Sequence, residues 1–129
     1  MSIIIYCAIA AALLIMISKM PVAMAMSKCE GGYDNRYPRD QQATLSGFGK
    51  RALAAHQNTL EAFPLFGVSL AITLVQSSDI ALIQTLCLTF VGARLLYLVF
   101  YWCDVHFLRS TVWSVGFIAC IWLMATALP

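Results

Sequence analysis

The sequence predicts an all-α membrane protein, a bundle of four transmembrane helices, and three observations carry that prediction. Of 129 residues 61% are hydrophobic and only 11% charged, with a mean hydropathy of +0.82, whereas soluble domains solvate their surface with roughly a quarter charged residues. Lipid must therefore face most of the outside. The apolar residues also fall into four runs, each close to or above the about 20 residues that a helix needs to cross a bilayer. Finally, only one connection is long and polar, so the runs fold back on one another as a single domain over residues 1–129, with no internal repeat.

The first run, residues 2–26, is interrupted near its end by Lys19 and Pro21. Lys19 is expected to snorkel to the nearby interface and Pro21 to kink the helix end. A cleavable signal peptide is the rival reading, since AMA at 23–25 resembles a small-residue cleavage site, but no basic stretch precedes the apolar run. Residues 27–49 are rich in Gly, Pro, Asp, Asn and Arg and form a loop, either a plain solvated connection or a lid over one end of the bundle. The second helix runs over about 50–76 with Pro64 inside it, where a freed carbonyl must find another partner. The QSSD segment at 76–79 makes a short turn, so the second and third helices are antiparallel neighbours. The third spans about 80–103, DVHFLR at 104–109 connects, and the fourth spans 111–128.

Trp102, Trp113 and Trp122 lie near the expected span ends, as an aromatic belt would. Basic residues set the orientation: Lys19, Lys28, Arg36, Arg39, Lys50 and Arg51 surround the first loop and Arg109 belongs to the third, while the second turn and both ends carry none. By the positive-inside rule those two loops face the cytoplasm, with the N- and C-termini on the non-cytoplasmic side. Cys7, Cys29, Cys87, Cys103 and Cys120 show neither metal-ligand nor disulfide spacing, so no metal is expected. Most are small packing residues in helices, and Cys29, in the polar loop, is the expected exposed thiol.

What distinguishes the chain from an inert bundle is the charge inside its spans. On a helix of 3.6 residues per turn Arg51, Asn58 and Glu61 share one face and His56 stands off it. Glu61 lies about 16 Å in from the charged end, a depth at which an unpaired carboxylate costs several kcal/mol. Arg94, Tyr97 and Tyr101 share a face of the third helix, and Arg94 lies at a matching ~15 Å from the Asp104 end, so a Glu61–Arg94 pair is expected. Two readings follow. Arg51, His56, Asn58, Glu61, Arg94, Tyr97, Tyr101 and Arg109 suit an anionic, hydrogen-bonding ligand, because guanidinium groups fork onto carboxylates and an arginine or tyrosine can stabilise a thiolate. Alternatively, Glu61 and Arg94 only neutralise one another while Asn58 and the tyrosines hold helices together.

At these residues the sequence resembles the MAPEG family, the membrane-associated proteins in eicosanoid and glutathione metabolism. RALAAHQNTLEAFPLF is similar to the family's second-helix signature, ARLLYLVFY to its third-helix pattern of an arginine and two tyrosines, and LRSTVW to the opening of its fourth helix. YDNRYPR in the first loop resembles bacterial members, which implies a multi-pass protein of a bacterial inner membrane. The resemblance implies a homotrimer in membrane lipid, with glutathione as co-substrate between neighbouring subunits and a lipophilic small molecule reaching it from the bilayer. It implies that Asn58, Glu61, Arg94 and Tyr97 bind the tripeptide, together with Arg51 and His56 nearby, and that Arg109 and Tyr101 serve catalysis, Arg109 by stabilising the thiolate. No nucleic acid is expected as a partner. One position departs: several animal enzymes of the family carry an arginine four residues before the asparagine, where this chain has Ala54.

The leading expectation is thus a glutathione-dependent transferase or peroxidase acting on lipophilic electrophiles. The alternative is a non-enzymatic lipid-binding or scaffolding protein of the same fold, which Ala54 favours. A small transporter coupled through Glu61 is a third reading, disfavoured because a permanently paired carboxylate carries protons poorly.

Overall fold

A computed structural model describes residues 1–76 and 79–128, the side chain of Gln76 excepted. All regular structure among the described residues is helical: α1 (Ser2–Ser27), α2 (Pro38–Ala43), α3 (Gly47–Gln76), α4 (Ile80–Trp102) and α5 (His106–Ala125). Four of these, all but α2, are long and apolar enough to cross a membrane. Ser77 and Ser78 of the QSSD turn lie outside the described residues. α3 packs against α4 as expected, and each also touches α1 and α5, which occupy opposite flanks of the bundle.

Small residues let the helices approach. Cys7 and Ala11 of α1, Cys87 of α4, and Ala119 and Cys120 of α5 are buried in one cluster around Phe66 and Phe90, whose rings stack at 4.2 Å between centroids, 3° from parallel. Gly116 continues this seam, since a methyl group there would already touch Ala93 at 3.5 Å. With no hydrophobic drive between helices in lipid, such close packing and a few interhelical hydrogen bonds supply the association energy. Thr73 gives one such bond, its hydroxyl 2.6 Å from the carbonyl oxygen of Leu123. Both Pro21 and Pro64 sit inside helices that run on past them.

The polar loop is more ordered than its composition suggests. Asp34 Oδ1 accepts from the backbone N–H groups of Arg36 and Tyr37 at 2.7 and 2.9 Å. Pro38, with φ preset for a first helical turn, then starts α2. Gln41 donates to the carbonyls of Gly32 and Met26 and buried Gln42 reaches the Met26 sulfur, so α2 is pinned on the end of α1. It walls neither of the cavities described below. Of the two readings of the loop, the plain connection fits better than a lid.

The connection before the fourth span differs from expectation. It is not 104–109 but Cys103–Val105, and the last helix begins at His106 rather than Thr111. Asp104 adopts φ +62°, its N–H donates to Tyr101 O at 3.2 Å, and the Val105 N–H donates to Phe100 O at 2.8 Å. This is a Schellman closure with aspartate where glycine is usual. Asp104 also faces Arg51, with Oδ2 3.7 Å from Nη1. The earlier start puts Arg109 inside a helix and moves Trp113 from a span end to within the span. Only Trp102 and Trp122 keep belt positions.

The turn also corrects the thiol assignment. Cys103 is exposed, Cys29 is half-buried with its thiol 3.6 Å from the Ala25 carbonyl, and Cys7, Cys87 and Cys120 are buried. A membrane-impermeant maleimide is therefore expected to label Cys103 first, and Cys103→Ser to remove the fast phase. Equal labelling of Cys29 and Cys103, followed by mass spectrometry of the peptides, would contradict this packing of the loop.

Candidate functional site

The face shared by Arg51, Asn58 and Glu61 on α3 turns toward α4 and α5, and the polar contacts begin there. Arg94, three per cent exposed, donates from Nη1 to Asn58 Oδ1 at 3.0 Å and from Nη2 to Thr59 Oγ1 at 3.3 Å. Its guanidinium carbon stands 4.2 Å from the centre of the Tyr97 ring, a cation–π contact that partly offsets lost hydration. Asn58 in turn donates from Nδ2 to Glu61 Oε2 at 3.2 Å. The expected Glu61–Arg94 ion pair is thus corrected: Asn58, one turn nearer the charged end, stands between the two groups and bonds to both.

Two consequences follow from this relay. The Arg94 charge is buried among neutral acceptors, and its Nε has no hydrogen-bond partner. Glu61 is exposed on the surface of the chain, at a depth that would face hydrocarbon unless a ligand or another chain covers it. Arg109, brought inward by the early start of α5, lies 4.4 Å over the Tyr101 ring, and Tyr101 meets Tyr97 edge to face at 5.5 Å. The two arginines therefore bracket the two tyrosines along the α4–α5 contact.

Two recesses open on these groups. One, about 160 Å³, has Asn58, Glu61 and Arg94 at its polar end and Leu65, Phe90, Gly116 and Phe117 at its apolar end. The other, a wider cleft of about 460 Å³, is lined by Tyr97, Tyr101, Arg109, Ser110 and Ser114. Asn58 and Trp113 belong to both, so the two recesses adjoin. Trp113 stacks on Phe117 at 5.4 Å.

The structure gathers Asn58, Glu61, Arg94, Tyr97, Tyr101 and Arg109 around these recesses, and leaves two expected residues elsewhere. His56 is buried against α1, where its Nδ1 lies 2.9 Å from the Ser18 hydroxyl. Arg51 reaches Asp104 at the bundle end and lines neither recess. Sequence reasoning missed Thr59, the second acceptor of Arg94, and Trp113, the wall between the recesses. The first has no distinct sequence signal, but Trp113 falls one turn after Arg109 and would have been found on that face had α5 been started correctly. Among the described residues no group of His, Cys, Asp and Glu could hold a metal ion.

A four-helix membrane bundle with a buried arginine, an asparagine–glutamate relay and an arginine-topped cleft defines a class of multi-pass membrane proteins that bring polar groups to bear inside the bilayer. The chain belongs to the MAPEG family, whose family model matches residues 3–129. Comparison with curated proteins gave no match, and comparison with solved structures gave none either.

Proposed function

We propose that the protein is a membrane glutathione transferase or peroxidase that attacks lipophilic electrophiles, acting as a homotrimer with its recesses toward the cytoplasm. The observation that carries this reading is the buried, carboxylate-free charge of Arg94, with an orphaned Nε, beside an exposed Glu61. A buried cation that ends on neutral acceptors is expensive and calls for an anion. Glutathione brings two carboxylates and one ammonium group. A carboxylate suits Arg94 and the ammonium suits Glu61, which leaves Arg109 for the sulfur. A neighbouring subunit covering Glu61 would keep that carboxylate out of the lipid, which is the support for a trimer-shared site.

In the proposed reaction the cysteinyl sulfur sits in the wider cleft near Arg109, whose charge favours the thiolate. The thiolate sulfur forms a bond to the electrophilic carbon and the leaving group departs with its bonding electrons. The apolar half of the narrower recess and the surrounding lipid supply the lipophilic substrate.

Titration calorimetry of the detergent-purified protein with glutathione is the direct test. Saturable binding, competed by S-alkyl glutathione, is the expected result. No binding would favour a lipid-binding scaffold of the same fold, the reading to which Ala54 also points, because that position supplies no further cation for a ligand carboxylate.

A further inference from the structure

Two stacked aromatic pairs wall the narrower recess, and they fix its size. Phe90 of α4 lines it and is held by the core residue Phe66, whose ring lies 4.2 Å away and 3° from parallel. Trp113 and Phe117 of α5 form a second wall, their rings 5.4 Å apart and 10° from parallel. These two residues are one helical turn apart, so each ring limits the rotamers of the other. Leu65 of α3 completes the apolar end. Neither aromatic wall can give way without breaking a stack.

Trp113 is placed for more than packing. A tryptophan that only filled the bundle would be buried, whereas Trp113 keeps 41% of its surface exposed and presents its indole to both recesses. It lies two turns inside α5, too deep for an interfacial belt. On one side of it is the aromatic slot and on the other the cleft that holds Arg109. Volume then decides what the slot admits. Its space of about 160 Å³ is close to the ~150 Å³ of an apolar cavity that takes one benzene molecule, and aromatic faces favour a flat aromatic guest.

We infer that Trp113 is a specificity-determining residue: with Phe90 and Phe117 it limits the apolar part of the electrophile to a single six-membered ring. The electrophilic carbon attached to that ring then lies where the slot and the cleft adjoin, at Asn58 and Trp113. The effect on turnover rests on the transferase reading, while occupancy of the slot by a ring does not.

The first half of the test therefore needs no glutathione. Nitrobenzene and nitronaphthalene quench indole fluorescence on contact, and each is titrated into the detergent-purified protein. Nitrobenzene is expected to quench a saturable fraction of the emission, and that fraction should be missing from Trp113→Phe, in which Trp102 and Trp122 still report. Nitronaphthalene should give only the unsaturable quenching of a solute dissolved in the micelle. The second half measures turnover of benzyl chloride and naphthylmethyl chloride with glutathione, each rate divided by that of the uncatalysed reaction. The parent protein should favour the single ring in kcat/KM by about tenfold or more, the scale on which an apolar pocket discriminates by size. Trp113→Ala joins the slot to the cleft and should bring the ratio to within about twofold, while Trp122→Phe leaves it unchanged. A merely structural Trp113 would lower both rates alike and keep the ratio. Saturable quenching by both nitroarenes, saturable quenching that survives Trp113→Phe, or an unchanged ratio in Trp113→Ala would each overturn the assignment. Saturable quenching by nitrobenzene without any turnover would support the slot and count against the transferase reading alone. Trp113→Leu gives the same comparison should the alanine variant fail to fold.

Discussion

An Arg94→Met variant is expected to lose glutathione affinity by roughly tenfold or more, and yet to unfold, without ligand, at a temperature no lower than the parent protein. The argument rests on what surrounds the guanidinium. Among the described residues its Nη atoms reach only Asn58 and Thr59, its Nε has no hydrogen-bond partner, and no carboxylate lies within ion-pair distance. Desolvating that charge is costly, and two hydrogen bonds to neutral acceptors with one cation–π contact repay only part of it. Methionine matches much of the volume and removes the charge, a kind of exchange that is often neutral or stabilising at buried ionic sites. Thr59 keeps its own bond to the Ala55 carbonyl at 2.8 Å, and Asn58 keeps Glu61.

The outcome separates the two readings of the intramembrane charge. If Arg94 instead contributed net stability to the α3–α4 contact, removing it would cost about 1–3 kcal/mol, visible as a lower melting temperature with no ligand present. A stable variant that no longer binds is the signature of a site held at the expense of stability. Calorimetry with glutathione and a melting curve on the same preparation decide the matter.

Much of this arrangement was legible because hydropathy and helical periodicity survive translation into structure. The four spans, the shared face of Asn58 and Glu61 and the equal depths of Glu61 and Arg94 all follow from counting residues. The contacts themselves do not. Depth matching put Glu61 and Arg94 at one level, but which acceptor the guanidinium meets depends on how each side chain is turned: Glu61 is exposed, while Thr59 is buried and Asn58 half-buried beside the buried Arg94, so they take its hydrogen bonds.

The start of the last helix was hidden for a different reason. A left-handed residue closes α4, and the sequence marks it with Asp104 instead of the glycine that usually signals such a stop. Reading DVHFLR as a connection followed from its polarity, and it displaced Trp113 and left Arg109 outside the helices. His56 shows the opposite case. Its position off the charged face was correct on the helical wheel, and that same offset turns it to Ser18 and away from the recesses.

The placement of Arg109 leads to the second large effect. Arg109→Ala is expected to lower turnover by about a hundredfold, the scale set by removing one charge-stabilising donor from an active site, while changing glutathione affinity only a few-fold. Within α5 the guanidinium is held over Tyr101 and lines the wider cleft, and among the described residues no carboxylate pairs with it. Its charge should make the bound thiol ionise below the usual range, near 8.5, of a free thiol. In the parent protein the thiolate ultraviolet absorbance should then be present at neutral pH and the rate should be flat from there upward. In Arg109→Ala the absorbance should vanish at neutral pH and the rate should climb with pH, because alkali now supplies the thiolate that the arginine no longer stabilises. Arg109→Lys keeps a cation without the planar fork and should recover part of the rate. Equal losses in binding and turnover, with an unaltered pH profile, would assign Arg109 to ground-state binding alone and move thiolate stabilisation to Tyr101 or Ser110 across the same cleft.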